Sequence, residues 1–270
     1  MCGLLSMLTA KGTAAQFVNA VEGSLECMYH RGPDAAGTWN DDDAVFGFNR
    51  LSIIDLEHSH QPLRWGPEDN PERYAMTFNG EIYNYIELRE ELKGYGEPIV
   101  VGYHHWGKEV VNHLRGMFGI VVWDTENQVM FAARDQFGIK PLYYATTEAG
   151  TVFASEMKSI LDMTDALNLD LSLDKRAIEH YVDLQYVPEP ESLHANIQRV
   201  ESGCTVTLSP GGKVVSDRYF KPEFRTEKVE DEQKLYDRIA EALEDSVAKH
   251  MRADVTVGSF LSGGIDSTAI

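Results

Sequence analysis

Between residues 119 and 154 the chain passes through four short β-rich runs, Gly119–Trp123, Val129–Ala133, Leu142–Ala145 and Val152–Ala154. Turn residues join each run to the next, the pattern of an antiparallel sheet. Met1–Thr9, Val45–Ile54 and Tyr74–Phe78 read as further strands, the last two parted by a polar loop around Gly66–Pro71. Thr205–Leu208 and Val214–Asp217 flank Pro210-Gly211-Gly212 as a hairpin. Helical periodicity brackets these runs. Phe17, Val21, Leu25 and Met28 predict a helix over Ala14–Tyr29. Tyr83–Leu92, Ile99–Leu114, Met157–Met163 and Leu173–Leu184 read the same way. Strand-rich runs between two helical groups are compatible with an α+β fold.

The character changes near Lys221–Glu232, a charged, linker-like stretch. A helix over Glu232–Met251 follows, with Leu235, Ile239, Leu243 and Val247 four apart. Val255–Leu261 reads as a buried strand leading into Ser262-Gly263-Gly264-Ile265-Asp266-Ser267. A helix, a strand and a Gly-rich turn open an α/β domain without completing one, so the chain reads as cut in mid-fold. Two domains are expected, 1–220 and 221–270.

Composition narrows the function. With 270 residues, 43% of them hydrophobic, the chain has material for a real core. A formal net charge of -19 repels phosphate backbones and argues against nucleic-acid binding. No run of about 18 apolar residues occurs, and MCGLLSMLTAKGT lacks the basic lead and apolar stretch of a secretion signal. Three cysteines, at positions 2, 27 and 204, fit neither a metal site nor a disulfide framework, so a cytoplasmic setting is expected. Cys27 and Cys204 fall on core-facing positions and read as core thiols.

Cys2 is different. Removal of Met1 would leave it with a free α-amine, whose ordinary pKa of about 7.7–8.0 leaves a neutral fraction near pH 7. Such an amine can take the proton of its own thiol, so one residue supplies nucleophile and base. Gly3 beside it allows close approach of a substrate to the backbone.

Six motifs in order, Cys2-Gly3-Leu4-Leu5, Arg31-Gly32-Pro33-Asp34, Arg50-Leu51-Ser52-Ile53-Ile54-Asp55, Asn79-Gly80-Glu81-Ile82-Tyr83-Asn84, Ala133-Arg134-Asp135 with Phe137-Gly138-Ile139-Lys140-Pro141-Leu142, and Leu261–Ser267, span nearly the whole chain. In them the sequence resembles the class II glutamine amidotransferases, and among these the glutamine-hydrolysing asparagine synthetases. The resemblance implies a four-layer αββα sandwich of the N-terminal nucleophile (Ntn) hydrolase type, followed by the start of an α/β ATP-pyrophosphatase domain. It implies Cys2 as nucleophile, with Asn79 and Gly80 as the oxyanion hole that amide hydrolysis requires. Arg50 would clamp the glutamine carboxylate, Leu51, Ser52, Ile53 and Ile54 would line its pocket, and Glu81 would meet the ammonium. Asn-Gly is also a common hairpin dipeptide, and Arg31 and Asp34 read as turn chemistry or an ion pair without a catalytic role.

Leu261, Ser262, Gly263, Gly264, Asp266 and Ser267 resemble the pyrophosphate loop of enzymes that split ATP into AMP and pyrophosphate. The full-length relative would use ATP and Mg²⁺ to activate aspartate; the glutaminase part needs no cofactor. Glutamine, ATP and aspartate are thus the expected partners, with a homodimer compatible. Other readings are the glutaminase domain of a natural-product amidating synthetase, or a degenerate, inactive relative. The last is motivated by Gly94-Tyr95-Gly96-Glu97. Tyr95 stands where the family has an Asp that helps hold the glutamine ammonium, and a phenol cannot replace a carboxylate there.

Overall fold

The computed structural model describes residues 1–93, 97–224, 226 and 231–270. Tyr95 and residues 225 and 227–230 of the expected linker lie outside the described residues. Two compact units emerge, one of residues 1–52 and 60–221, the other of residues 53–59 and 222–270.

The first unit is built on two six-stranded antiparallel sheets. One contains β1 (Gly3–Thr9), β2 (Ala35–Asn40), β3 (Ala44–Arg50), β8 (Tyr143–Thr147), β9 (Gly150–Ala154) and β10 (Ile197–Arg199), in the order β10-β8-β9-β1-β3-β2. The other contains β4 (Leu63–Trp65), β5 (Tyr74–Ile82), β6 (Gly116–Asp124), β7 (Val129–Arg134), β11 (Cys204–Leu208) and β12 (Val215–Arg218), in the order β12-β11-β7-β6-β5-β4.

Period-two alternation sorts each strand between two cores. Leu4, Leu8, Phe46 and Phe48 meet Ala75, Val121, Trp123 and Ala132 in the space between the sheets. Their neighbours Leu5, Met7 and Val45 pack outward against α1 (Val18–Leu25), α4 (Met157–Asp162) and α5 (Thr164–Leu167). On the far side, Met76, Phe118, Ile120 and Phe131 pack against α2 (Tyr85–Glu91) and α3 (Pro98–Trp106). The result is helices, sheet, sheet, helices, the αββα sandwich expected from the resemblance. One polar contact crosses the inner core: Ser6 Oγ and Thr77 Oγ1 lie 2.8 Å apart, both fully buried.

Several boundaries differ from expectation. The run Val45–Ile54 stops being a strand at Arg50. The helix expected over Ile99–Leu114 ends at Trp106, because Gly107 takes φ +57° and the chain tightens into a 3₁₀ turn over Gly107–Asn112. The helix expected over Ala14–Tyr29 is α1 flanked by 3₁₀ turns on both sides. Cys204 is a buried core thiol, whereas Cys27 is only half-buried.

The loop after β7 is held by Asp135, which is 0% exposed. Its Oδ2 accepts from Phe118 N–H and Lys140 N–H at 3.1 and 2.9 Å. Its Oδ1 accepts from Phe137 N–H and Ile139 N–H at 3.1 and 2.9 Å. Arg134 completes the clasp, donating to the carbonyls of Gly138, Lys140 and Val200.

The second unit contains α7 (Glu232–His250) and α8 (Ile265–Ala269). Asp231 caps α7, its carboxylate accepting from Gln233 and Lys234 N–H. The buried strand expected over Val255–Leu261 does not form. The segment is exposed throughout and pairs with no strand among the described residues, and an unpaired strand leaves its backbone groups without ladder partners.

Replacing Asp135 by Ala strands four backbone donors, of which those of Phe118 and Lys140 lie in the protein interior. Asp135→Ala should lower the unfolding free energy by roughly 3–5 kcal/mol in urea titration. A loss below about 1 kcal/mol would show that the loop is held without it.

Candidate active site

Cys2 stands one residue ahead of Gly3, which pairs with Asn49; Arg50 stands one residue beyond Asn49 on the partner strand. Alternation turns Cys2 toward the inter-sheet space, where it packs on the inner core. Cys2 Sγ accepts from Leu51 N–H at 3.4 Å and donates to Leu51 O at 3.6 Å. Arg31, 7% exposed, donates through Nε to Cys2 O at 2.8 Å and pairs through Nη1 with Glu156 at 2.9 Å. Asp34 fixes the next turn, its Oδ2 accepting from Ser52 N–H at 2.8 Å.

The facing wall comes from β5. Thr77 touches Ser6 in the inner core, so Asn79 and Glu81, two and four residues on, point into the same inter-sheet space. Asn79 is 1% exposed, and its Nδ2 is buried without a hydrogen-bond acceptor among the described residues. A buried amide donor left unmatched costs free energy unless a ligand meets it. Gly80 lies opposite Phe118, whose N–H and C=O are both taken by Asp135. The Gly80–Phe118 pair is therefore a non-hydrogen-bonded one, and Gly80 N–H faces away from β6. Two residues earlier on that edge, Gln61 stands in for a strand: its side chain accepts from Phe78 N–H at 2.6 Å and donates to Phe78 O at 3.1 Å. β4 ends at Leu63, opposite Met76, so Gly80 N–H lies past its end.

Burial sets the electrostatics. It pushes the Cys2 thiol up; Leu51 N–H, the neighbouring α-amine, Arg50 and Lys140 pull the other way. Burial also pushes the Met1 α-amine down, with the Cys2 thiol opposing and Arg31 and Lys140 adding to the shift. Lys140 is 5% exposed, and burial lowers its ammonium against the opposing influence of Glu81. The Cys2 thiol and the Glu81 carboxylate both act on Lys140.

Of the residues singled out in the sequence, Cys2, Arg50, Leu51, Ser52, Asn79, Gly80 and Glu81 lie in the first unit. Ile53 and Ile54 fall in the second, where Ile53 O accepts from Asp254 N–H at 3.0 Å. There too Leu261 is 74% exposed, and Gly263 takes φ +77° with open space around it. Ser262 and Ser267 hydroxyls lie 3.0 Å apart, and Asp266 sits in the first turn of α8. Sequence reasoning gave no role to Arg31, Gln61, Lys140 or Glu156. Arg31 and Lys140 sit in recognised motifs; Gln61 and Glu156 act only through contacts distant in sequence.

Two antiparallel sheets facing each other under outer helices, with a cysteine at the head of the first strand, define the Ntn class of folds. Among solved structures, the glutamine phosphoribosylpyrophosphate amidotransferase from Bacillus subtilis, complexed with ADP and GMP, superposes with a TM-score of 0.57 at 17% identity. The match covers 82% of this chain and 50% of that one. A profile described as a glutamine amidotransferase domain matches residues 1–220, and one described as asparagine synthase matches residues 238–270. The chain belongs to the glutamine amidotransferase domain family. A Mycobacterium bovis protein, provisionally named asparagine synthetase (glutamine-hydrolysing), is 53% identical over all of this chain. Asparagine synthetase (glutamine-hydrolysing) 1 of B. subtilis is 44% identical over the same extent. The chain spans 45% and 43% of these relatives.

Gly80 is a close-approach position: a Cβ there would lie 2.0 Å from Met117 O. At Gly119 a Cβ would meet nothing nearer than Pro141 O at 3.4 Å. Gly80→Ala should cost roughly 1–3 kcal/mol by thermal unfolding, and Gly119→Ala clearly less. Equal losses would contradict this geometry.

Proposed function

We propose that Cys2 hydrolyses glutamine to glutamate and ammonia, and that the ammonia serves ATP-dependent conversion of aspartate to asparagine in the longer protein. The observation that carries the glutaminase reading is the unmatched, buried Nδ2 of Asn79 on the wall facing Cys2. Loss of Met1 moves the α-amine onto Cys2. That amine takes the thiol proton as sulfur attacks the side-chain amide carbon of glutamine. The C=O electron pair moves to oxygen, and the oxyanion is met by Asn79 Nδ2–H and Gly80 N–H. Collapse expels ammonia, which leaves with the proton returned by the ammonium. Water then attacks the thioester, releasing glutamate and restoring the thiol. Arg50 holds the substrate carboxylate and Glu81 its ammonium, with Leu51 and Ser52 lining the pocket.

Residues 1–220 form the glutaminase domain in this reading, and 221–270 a linker with the first piece of a synthetase domain. Leu261, Ser262, Gly263, Gly264, Asp266 and Ser267 would receive the pyrophosphate of ATP. The open space at Gly263 and the paired serine hydroxyls suit close contact with phosphate oxygens. Mg²⁺ would accompany ATP, and the setting is the cytoplasm. Among the described residues, no helix is long and apolar enough to cross a membrane.

Ammonia release from glutamine tests the reading directly. Cys2→Ala should abolish it, and Asn79→Ala should lower kcat by about 10²–10³-fold. Ammonia release undiminished in Cys2→Ala would remove Cys2 from the chemistry.

A further inference from the structure

Lys140 is a charged side chain enclosed at 5% exposure. Its backbone is fully engaged: the N–H donates to Asp135 and the carbonyl accepts from Arg134. Among the described residues its ammonium makes no hydrogen bond or ion pair, and the nitrogen keeps an edge open to solvent. A lysine stem buried this far without a carboxylate partner is costly, and replacement by an apolar side chain of similar volume would ordinarily be tolerated or favourable. The cost makes sense where negative charge appears nearby.

The architecture places the Lys140 loop beside the strand that carries the nucleophile. The Asp135 Oδ2 that accepts Lys140 N–H also accepts Phe118 N–H, and Phe118 lies opposite Gly80. Leu142, two residues after Lys140, packs in the inner core with Leu4, two residues after Cys2. The loop thus bridges the oxyanion wall and the nucleophile strand. The charged and titratable groups around Lys140 are Glu81, Arg31, Cys2 and Asp135. Those around Cys2 are the α-amine, Arg50 and Lys140.

We infer that Lys140 is a positioning residue whose unpartnered ammonium stabilises the negative charge on the Cys2 sulfur as the thiol is deprotonated. This rests on the reading of Cys2 as nucleophile, and it assigns the loop Phe137–Leu142 a task beyond holding the fold. The ammonium does not touch the substrate. It acts through its field, in a volume where few waters screen it. Glu81 tempers that field, so the thiol gains from the cation without a fixed contact that would trap the thiolate.

The test is the pH dependence of Cys2 alkylation by iodoacetamide, read by peptide mass so that Cys27 and Cys204 are scored separately. The N-terminus is identified by intact mass, and thermal unfolding verifies the fold of each variant. Lys140→Met removes the charge and keeps an unbranched stem. Its alkylation midpoint should rise by about one pH unit, with alkylation about tenfold slower at pH 7. Lys140→Arg should keep the wild-type profile within about twofold. Lys140→Gln provides a second uncharged replacement if the Met variant does not fold. A midpoint unchanged in the uncharged variants would overturn the inference. The readout needs no glutamine. If the chain releases no ammonia, the alkylation profiles still decide the role of Lys140; if ammonia is released while the profiles coincide, only this inference falls.

Discussion

The active end of the sandwich depends on one enclosed carboxylate. Asp135 sits at 0% exposure, and its two oxygens collect four backbone N–H groups. Such a charge is tolerable inside a protein only when hydrogen bonds replace the water it has lost. Those bonds do two things at once. They tie the loop after β7 into a fixed turn, which carries Lys140 inward. They also occupy the polar backbone of Phe118, which forces the Gly80–Phe118 pair into the non-hydrogen-bonded register and leaves Gly80 N–H directed past the end of β4. A carboxylate at the end of β7 thereby sets the direction of the Gly80 N–H.

Much of this was legible in the sequence because period two survives burial. In β1 and β5 alternate side chains belong to different cores, so Cys2 and Asn79 could be placed on defined faces once their strands were recognised. β2 escaped notice: Ala35-Ala36-Gly37-Thr38-Trp39-Asn40 contains few strong strand formers, and the segment is held by its pairing with β3 at the sheet edge. β4 and β10, three residues each, are too short to carry a pattern. Val255–Leu261 fails in the opposite sense, with strand composition but no neighbour to pair with. Composition reports a preference, while a strand is a relation between two segments.

The site divides along the same line. Cys2, Arg50, Asn79, Gly80 and Glu81 could be singled out because each has chemistry that a short motif announces. Arg31 could not be given its role, because its bond to Cys2 O joins residues 29 apart. Glu156, which anchors that arginine, lies 125 residues further along the chain. Gln61 is similar: its side chain replaces a missing stretch of sheet edge at Phe78, and nothing local to it suggests this. Residues that react are visible in sequence sooner than residues that aim them.

The electrostatics carry a tension that the mechanism must resolve. Burial pushes the thiol of Cys2 up and the α-amine down. Both shifts favour neutral partners, since each charged form would lose solvation. The downward shift belongs to the Met1 amine; a Cys2 amine freed in the same place by loss of Met1 would be a free base over more of the neutral range, while the sulfur keeps its proton until attack. Separating charge between them is uphill in a dry slot, and a cation near the sulfur but away from the amine's lone pair lowers that hill most. Arg31 engages the Cys2 carbonyl and Glu156, and Arg50 stands one residue beyond Asn49, the partner of Gly3. Among the described residues Lys140 is a buried cation with no hydrogen bond or ion pair of its own, so on the inference drawn above its field is left to stabilise the sulfur.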